Sequence, residues 1–571
     1  MDPLEPFREE VRIAAQRAFA HMGADVSFEI EVPSTGIADF AVPCFSLAKK
    51  LRKAPPMIAE EAAALIPPLD RVSKVWADNG YLNFQLNDGK LSVSTLEAIE
   101  AMQGSYGRGD PERKKVLLEH TSVNPTGPIH VGRARNPIIG DTLARCMRAY
   151  GYDVTTEYYV NDVGKQVVML TWGLENIPAE DVPEVAGDKP DHRLVVYYQK
   201  ANRMMESDPE VERQVGQMLR RFEDGDEEVM GKVRRTAKLM LDGIIESLLS
   251  INVIIDQFTW ESQFIKDGSA HRVVAELKRS EHCSEEKGAC YLELKPFGIH
   301  GKETRFFFTR ADGTTLYTTR DMAYHLDKFK RADRIINILG EDQKLGQAQL
   351  AIALKLLDQD RAPECVFYSF VSLPEGRMST RKGTVVYLDD LIEEAEERAL
   401  EEVRKRRTDL SEERMREIAK AIGRGAVRYN IVRVQPEKPL VFKWEDALNF
   451  EGNSAPFVQY AHARACSIQR KAGVSEGAYD PATLTNEYEL RLVRVLARYP
   501  SVIREAGEKA RIQLLPAFGH ELAAAFNQFY TYVPVLKGEE NREARLALVN
   551  ATRIVLANVL NTLGLSAPEE M

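Results

Sequence analysis

The segment from Val116 to Met147 limits what this chain can fold into more than any other part of it. An apolar strand (Val116, Leu117, Leu118) runs into a Pro/Gly-containing turn, Thr121 to Pro128, and His130-Val131-Gly132 follows. A helix is expected from about Asn136, with Pro137 suited to its first turn. Ile139, Leu143 and Met147 recur every four residues and would hold that helix against a sheet. A strand–turn–helix unit directs free backbone N–H groups, and the positive end of the helix, at whatever lies over the turn. Gly132 would let a ligand approach the backbone closely, and His130 offers a donor beside it. Such a cradle suits a nucleotide phosphate.

A second element lies far downstream. Gly376-Arg377-Met378-Ser379-Thr380-Arg381-Lys382-Gly383 precedes the apolar run Val385 to Leu388. Flanking glycines make a basic loop able to close over a triphosphate. Read alone, such a loop is a solvated charge cluster. Paired with the phosphate-type turn, it becomes a candidate clamp.

Composition allows several ordinary globular domains: 571 residues, 44% hydrophobic and 28% charged. No apolar run approaches the ~18 residues of a membrane span, and the N-terminus has no signal-peptide pattern. The six cysteines are scattered, and Cys283 and Cys290, even with His282, lack close-paired zinc spacing. Reduced structural thiols, no metal site of the chain's own and a cytoplasmic location are expected. A net charge of −10 argues mildly against nucleic acid but does not exclude it, because binding depends on local Lys/Arg placement. Basic stretches occur at Arg113 to Lys115, Arg404 to Arg407, and Arg424, Arg428 and Arg433.

Pro128-Ile129-His130-Val131-Gly132 after a strand resembles the "HIGH" element of class I aminoacyl-tRNA synthetases and their nucleotidyltransferase relatives. The longer run Glu119 to Asn136, and Tyr159 to Gln166, resemble the arginyl members in particular. The basic loop resembles the class "KMSKS" loop in the Met-Ser-Thr-Arg-Lys-Gly form. Two departures stand out: Arg133 replaces the usual second His, and Arg377 and Thr380 replace lysines. Residues 36–53 and 80–84 resemble the N-terminal appendix of the family. Trp444 to Leu448 and Gln459 to Arg464 resemble its helical anticodon-binding domain, with Asn449 where an Arg would stand.

The resemblance implies a Rossmann-type catalytic domain over 110–390, with an insertion at about 170–250. It also implies an α+β, tRNA-elbow-binding appendix over 1–95 and an all-helical anticodon-binding domain over 391–571. Helical patterns at Phe7 to Met22 and Phe45 to Leu51, and an extended pair near Phe28 to Val32, fit the appendix. The charged stretch from Leu170 to Ser250 suits an insertion splitting the two halves of the nucleotide fold, the second half returning at Val253. The expected activity is ATP-dependent attachment of L-arginine to the 3′-terminal ribose of tRNA(Arg) through an arginyl-adenylate. AMP and pyrophosphate would be released by a monomer, with Mg²⁺ accompanying ATP.

By the same resemblance, His130, Gly132, Arg381 and Lys382 are the catalytic candidates. ATP would be held by His130, Gly132, Arg133, Met378, Ser379 and Lys382. Arginine would be held by Glu119, Ser122, Asn124, Tyr317, Asp321 and Gln343. Planar carboxylates suit a guanidinium fork, and if the segment after Leu316 is helical, Tyr317 and Asp321 share one face. Tyr81 and Asn83, then Tyr460, His462 and Arg464, are the candidates for tRNA. Two other readings remain at this stage: a nucleotidyltransferase acting on a small metabolite, and a tRNA-binding paralogue without catalysis.

Overall fold

Five parallel strands carry the site: β1 (Lys115–Glu119), β2 (Asp153–Val160), β3 (Gln257–Trp260), β4 (Arg334–Gly340) and β5 (Glu364–Tyr368). The computed structural model describes residues 2–33, 38–111, 114–185, 187–300, 304–374, 386–473, 479–536 and 541–571. Across the sheet the order is 3-2-1-4-5, so the direction of winding reverses between β1 and β4. In such sheets, ligands bind outside the carboxyl ends of the strands at that reversal. Glu119, the last residue of β1, is in register with Asn337 of β4 on one side and Glu157 of β2 on the other.

The helix after β1 runs from Arg135 to Tyr150 and buries Ile139, Leu143 and Met147, as the four-residue spacing predicts. It ends at Gly151, whose φ of 118° only glycine adopts freely. The charged helical stretch forms four helices, Lys165–Asn176, Pro190–Ser207, Pro209–Glu223 and Glu227–Ser250, with their own core around Trp172, Phe222 and Val233. Its place in the fold differs from the sequence expectation. It joins β2 to β3 inside the first half of the sheet, and the second half begins only at Arg334. The segment between the halves is instead residues 261–333, which carries a three-stranded antiparallel sheet, Cys283–Glu286, Ala289–Glu293 and Arg305–Phe307. Pairing partners, not local charge, decide which crossover splits the fold.

The N-terminal unit is α+β. Helix Glu5–His21 and helix Pro55–Leu65 pack with an antiparallel sheet of Phe40–Pro43, Tyr81–Leu86 and Val72–Asp78. The extended pair expected near Phe28 to Val32 reduces to a single bridge, Glu31 to Ala41. A hairpin joins the last two of these strands: Asp78 pairs with Tyr81 across Asn79-Gly80, both with positive φ (49° and 85°). Asn-Gly is the usual signal for that turn.

From Leu388 the chain is almost wholly helical, with long helices Leu388–Arg406, Glu412–Val432, Ala455–Ala472, Glu487–Glu508, Leu514–Tyr532 and Arg542–Thr562. The last ends before Gly564, in the left-handed region, as read from the sequence. Arg428, buried, ties this part to the sheet domain. Its guanidinium meets Asp141 Oδ2 at 2.5 Å and the carbonyls of Ile251 and Leu563 at 2.7 and 3.1 Å. Arg424 pairs with Glu396, and Arg433 with Asp446 and the Asn453 carbonyl. These basic residues hold the structure together and are not a free cationic strip. No helix among the described residues is long and apolar enough to cross a membrane.

Candidate active site

The backbone after β1 is bent sharply and held from all sides. Thr121 and Ser122 have φ of 70° and 38°, an unfavourable conformation for any residue with a Cβ, and most of all for β-branched Thr121. Asn136, at the start of the following helix, accepts the Thr121 N–H at 2.6 Å and donates to the Ile338 carbonyl at 2.9 Å. It thus bridges β1 and β4 at the reversal point. Ser122 donates to Glu119 Oε1 at 2.9 Å and accepts the Tyr159 N–H at 3.0 Å. Tyr158 donates to the Val123 carbonyl at 2.7 Å.

His130 follows. Its Nδ1 accepts the Gly132 N–H at 3.0 Å, which leaves the ring proton on Nε2. Partial desolvation, and secondarily the charge of Arg133, hold its pKa below the ordinary histidine value. The ring is therefore a neutral donor at pH 7, open to solvent. Gly132 is buried; the close approach it permits is that of the His130 ring, 3.1 Å from where a Cβ would stand. Its N–H is spent on that ring. Arg133 is exposed.

Met378, Ser379, Arg381 and Lys382 lie outside the described residues. The chain on either side of that segment adjoins the His130 turn. Val386 accepts the Val131 N–H at 3.0 Å, the Leu388 N–H reaches the Ile129 carbonyl at 2.8 Å, and Tyr387 forms a bridge with His130. On the near side, the Val371 carbonyl lies 3.7 Å from the Gly132 Cβ position.

The acidic end of the site is built on helix Tyr317–Arg331, so Tyr317 and Asp321 do share a face. Asp321, with a third of its side chain exposed, meets His325 Nδ1 at 3.1 Å. Burial alone would raise its pKa, but His325 and Lys328 hold it below the usual value, and it is ionised. His325 Nε2 pairs with Asn337 Nδ2 at 2.9 Å, Asn337 Oδ1 accepts from Lys328 at 2.9 Å, and Lys328 reaches Glu119 Oε2 at 2.5 Å. A continuous line of polar contacts therefore joins Glu119 to Asp321. The Tyr159 hydroxyl, near Glu261, Asp321 and Glu119, is buried with no partner among the described residues. An orphaned hydroxyl there leaves a place for a ligand's polar group.

Tyr317 is 68% exposed and, with Asn124, Gln166 and Arg310, lines a cavity of about 260 Å³. Asn124 donates to Gln166 at 3.2 Å. Gln343 lies just past β4, exposed, bonded to Asp342 at 3.1 Å. Two larger cavities among the described residues, about 840 and 790 Å³, lie elsewhere, one between the N-terminal unit and helix Glu487–Glu508, the other along helix Glu5–His21.

Among the residues chosen for tRNA, Tyr81 is half-buried against Phe45, ring centroids 5.3 Å apart. Asn83 and His462 correct the sequence reading. Both are buried, Asn83 near its own strand's Tyr81 carbonyl and His462 bonded to the Pro568 carbonyl at 2.9 Å. His462 is thereby committed to the fold. Tyr460 is exposed and stacks with Arg464, whose guanidinium is 4.7 Å from the ring centroid.

Sequence reasoning missed Lys328, His325 and Asn337, for which spacing offered only a partial signal: Asp321 and His325 are four residues apart on the Tyr317 helix. It also passed over the Asn136 side chain as a bridge.

Three family models match the chain: "tRNA synthetases class I (R), catalytic domain" over 95–444, "DALR anticodon binding domain" over 458–571, and "Arginyl tRNA synthetase N terminal domain" over 6–86. The arginine–tRNA ligase of Methanocella arvoryzae is 48% identical over 528 residues, 92% of each chain. That of Methanothermobacter thermautotrophicus is 42% identical over 568 residues, 99% of each. The solved arginyl-tRNA synthetase of Thermus thermophilus is 30% identical with a TM-score of 0.83, covering 99% of this chain and 100% of that one.

Proposed function

This chain belongs to the arginyl-tRNA synthetases of class I, and from that premise we propose how its residues divide the work. The enzyme uses ATP to attach L-arginine to the 3′-terminal ribose of its cognate tRNA, through an arginyl-adenylate. In the first step a carboxylate oxygen of arginine bonds to the α-phosphorus as the bond to the pyrophosphate oxygen breaks. In the second, a terminal ribose hydroxyl attacks the arginyl carbonyl and AMP leaves. The first nucleophile is already an anion, so the first step needs no general base. It needs alignment and donors aimed where charge builds on the phosphates.

In this reading His130 directs its Nε2–H to a phosphate oxygen at the β1–β4 reversal, with Gly132 fixing the ring. Arg133, Met378, Ser379 and Lys382 contact ATP, and Arg381 and Lys382 clamp the departing pyrophosphate. Mg²⁺ enters on the ATP phosphates as part of that substrate. The metal-capable cluster among the described residues, Asp191, His192 and Asp389, already holds the Lys189 ammonium at 2.8 Å from both carboxylates. Asp321, Tyr317 and Glu119 take the arginine side chain, while Ser122, Asn124 and Gln343 take its amino and carboxylate ends. Tyr81 of an appendix over 1–95, and Tyr460 and Arg464 of a helical domain over 391–571, face the tRNA. The protein acts as a cytoplasmic monomer.

One observation supports this division above the rest: an ionised carboxylate, Asp321, is linked through His325 and Asn337 to the strand at the order reversal and lies near the Tyr159 hydroxyl, which has no partner among the described residues. The test is ATP–pyrophosphate exchange with each amino acid, with and without tRNA. Exchange with arginine, dependent on tRNA, is expected. Exchange with a different substrate, or RNA binding with no exchange, would overturn the reading.

A further inference from the structure

The ammonium of Lys328 has no exposed surface, yet it pairs with Glu119, one of the two carboxylates assigned to the arginine side chain, and is linked through Asn337 and His325 to the other, Asp321. We propose that Lys328 is a specificity-determining residue, cancelling the charge of Glu119 and leaving Asp321 as the anionic anchor that favours a guanidinium over an ammonium. The inference rests on the reading of Glu119 and Asp321 as the arginine pocket.

Both oxygens of Glu119 are engaged within the chain, Oε2 by Lys328 and Oε1 by the Ser122 hydroxyl. A buried ammonium is tolerated only where it is paired. Here it has Glu119, the Asn337 oxygen and the face of Tyr324, 4.1 Å from the ring centroid. Tyr324 in turn stacks on Tyr159 at 4.3 Å, nearly parallel. Lys328 also sets the tautomer of His325, the neighbour of Asp321. Because Asn337 Oδ1 accepts from the lysine ammonium, its Nδ2 faces His325 Nε2, so His325 carries its proton on Nδ1, which meets the Asp321 carbonyl at 2.8 Å and the Asp321 carboxylate at 3.1 Å.

The consequence for substrate choice follows from hydration. An ammonium is a compact, strongly hydrated charge and needs concentrated negative charge to offset its loss of water. A guanidinium is weakly hydrated, spreads its charge over a plane and is held by acceptors set in that plane. A pocket with one uncancelled carboxylate and fixed planar acceptors therefore suits arginine. A second bare carboxylate would lift lysine more than arginine.

The test measures tRNA-supported ATP–pyrophosphate exchange with L-arginine and with L-lysine. Lys328→Met should lower the arginine-to-lysine ratio of kcat/KM by about tenfold or more, with the KM for ATP held within about twofold. Lys328→Arg should keep the ratio. Glu119→Gln, which strands the cation, should raise the arginine KM, and adding Lys328→Met to it should bring that KM back toward the parental value. A folded Lys328→Met protein with the parental ratio overturns the proposal. So does a double variant as impaired as the two single changes combined, and this second comparison decides the matter if Lys328→Met alone does not fold. Asp321→Asn separates the two levels. An unchanged arginine KM there overturns the pocket itself, whereas its rise beside an unaltered Lys328→Met ratio overturns only the role of Lys328.

Discussion

His130 and Gly132 share one hydrogen bond, the ring Nδ1 taking the backbone N–H at 3.0 Å, and this contact decides which imidazole nitrogen can donate outward. Replacing His130 by Ala removes the Nε2–H donor and should cost about 2–4 kcal/mol of transition-state stabilisation. The check is tRNA-supported ATP–pyrophosphate exchange, in which kcat falls more than the KM for arginine rises. Because desolvation and Arg133 hold the His130 pKa down, the neutral donor persists as pH falls through the ordinary histidine range. The parental enzyme should therefore show no loss from this group between neutral pH and the usual histidine value. A fall in kcat at that value, absent from the Ala variant, would contradict the assignment.

Asp321 is ionised and partly open, and a carboxylate–guanidinium contact is charge-assisted and bidentate. Asp321→Asn should raise the arginine KM by about one to two orders of magnitude while ATP binding persists. Isothermal titration with ATP and steady-state arginine kinetics would read the two halves of this expectation.

Arg428 and Asp141 pair in full burial between the C-terminal helices and the helix that follows β1. Arg428→Met leaves Asp141 without that partner and the Leu563 and Ile251 carbonyls without their donor, a loss of about 3–5 kcal/mol. Thermal unfolding should begin at a lower temperature than in the parent. An Asp141→Asn/Arg428→Met protein should recover part of that loss.

Gly140 leaves room for the His120 ring: a Cβ there would lie 2.3 Å from His120 Cγ. Gly140→Ala should therefore destabilise by about 1–3 kcal/mol through overpacking. Gly216, in helix Pro209–Glu223, has nothing within 4 Å of its Cβ position. Gly216→Ala should stabilise by up to about 1 kcal/mol. Denaturant unfolding of the two variants should move the midpoint in opposite directions.

His120, just after β1, is buried, and desolvation lowers its pKa from 6.5 to about 4. The unfolded chain takes up a proton below pH 6.5 while the folded chain does not until about pH 4. This contribution is therefore complete above pH 6.5 and lost as pH falls between those values, an effect of about 3 kcal/mol. In His120→Gln, the stability difference between pH 7 and pH 4.5 should shrink by that order.

Local patterns were enough to read the strand–turn–helix at Val116 to Met147, the shared face of Tyr317 and Asp321, and the late helix closing at Gly564. Turn residues and apolar spacing act over a few positions, so they are visible in the order of the residues alone. The family motifs were legible for the same reason. What only the tertiary structure decided lies between distant residues. Lys328 finds Glu119 across 209 positions and Arg428 finds Asp141 across 287, and nothing near either residue in the chain announces the partner. The sheet order likewise put the charged helices inside the first half of the fold. Burial of Asn83 and His462 arose from packing by other elements. Charge pairing, strand neighbours and burial depend on which surfaces meet, and that is a property of the whole chain in three dimensions.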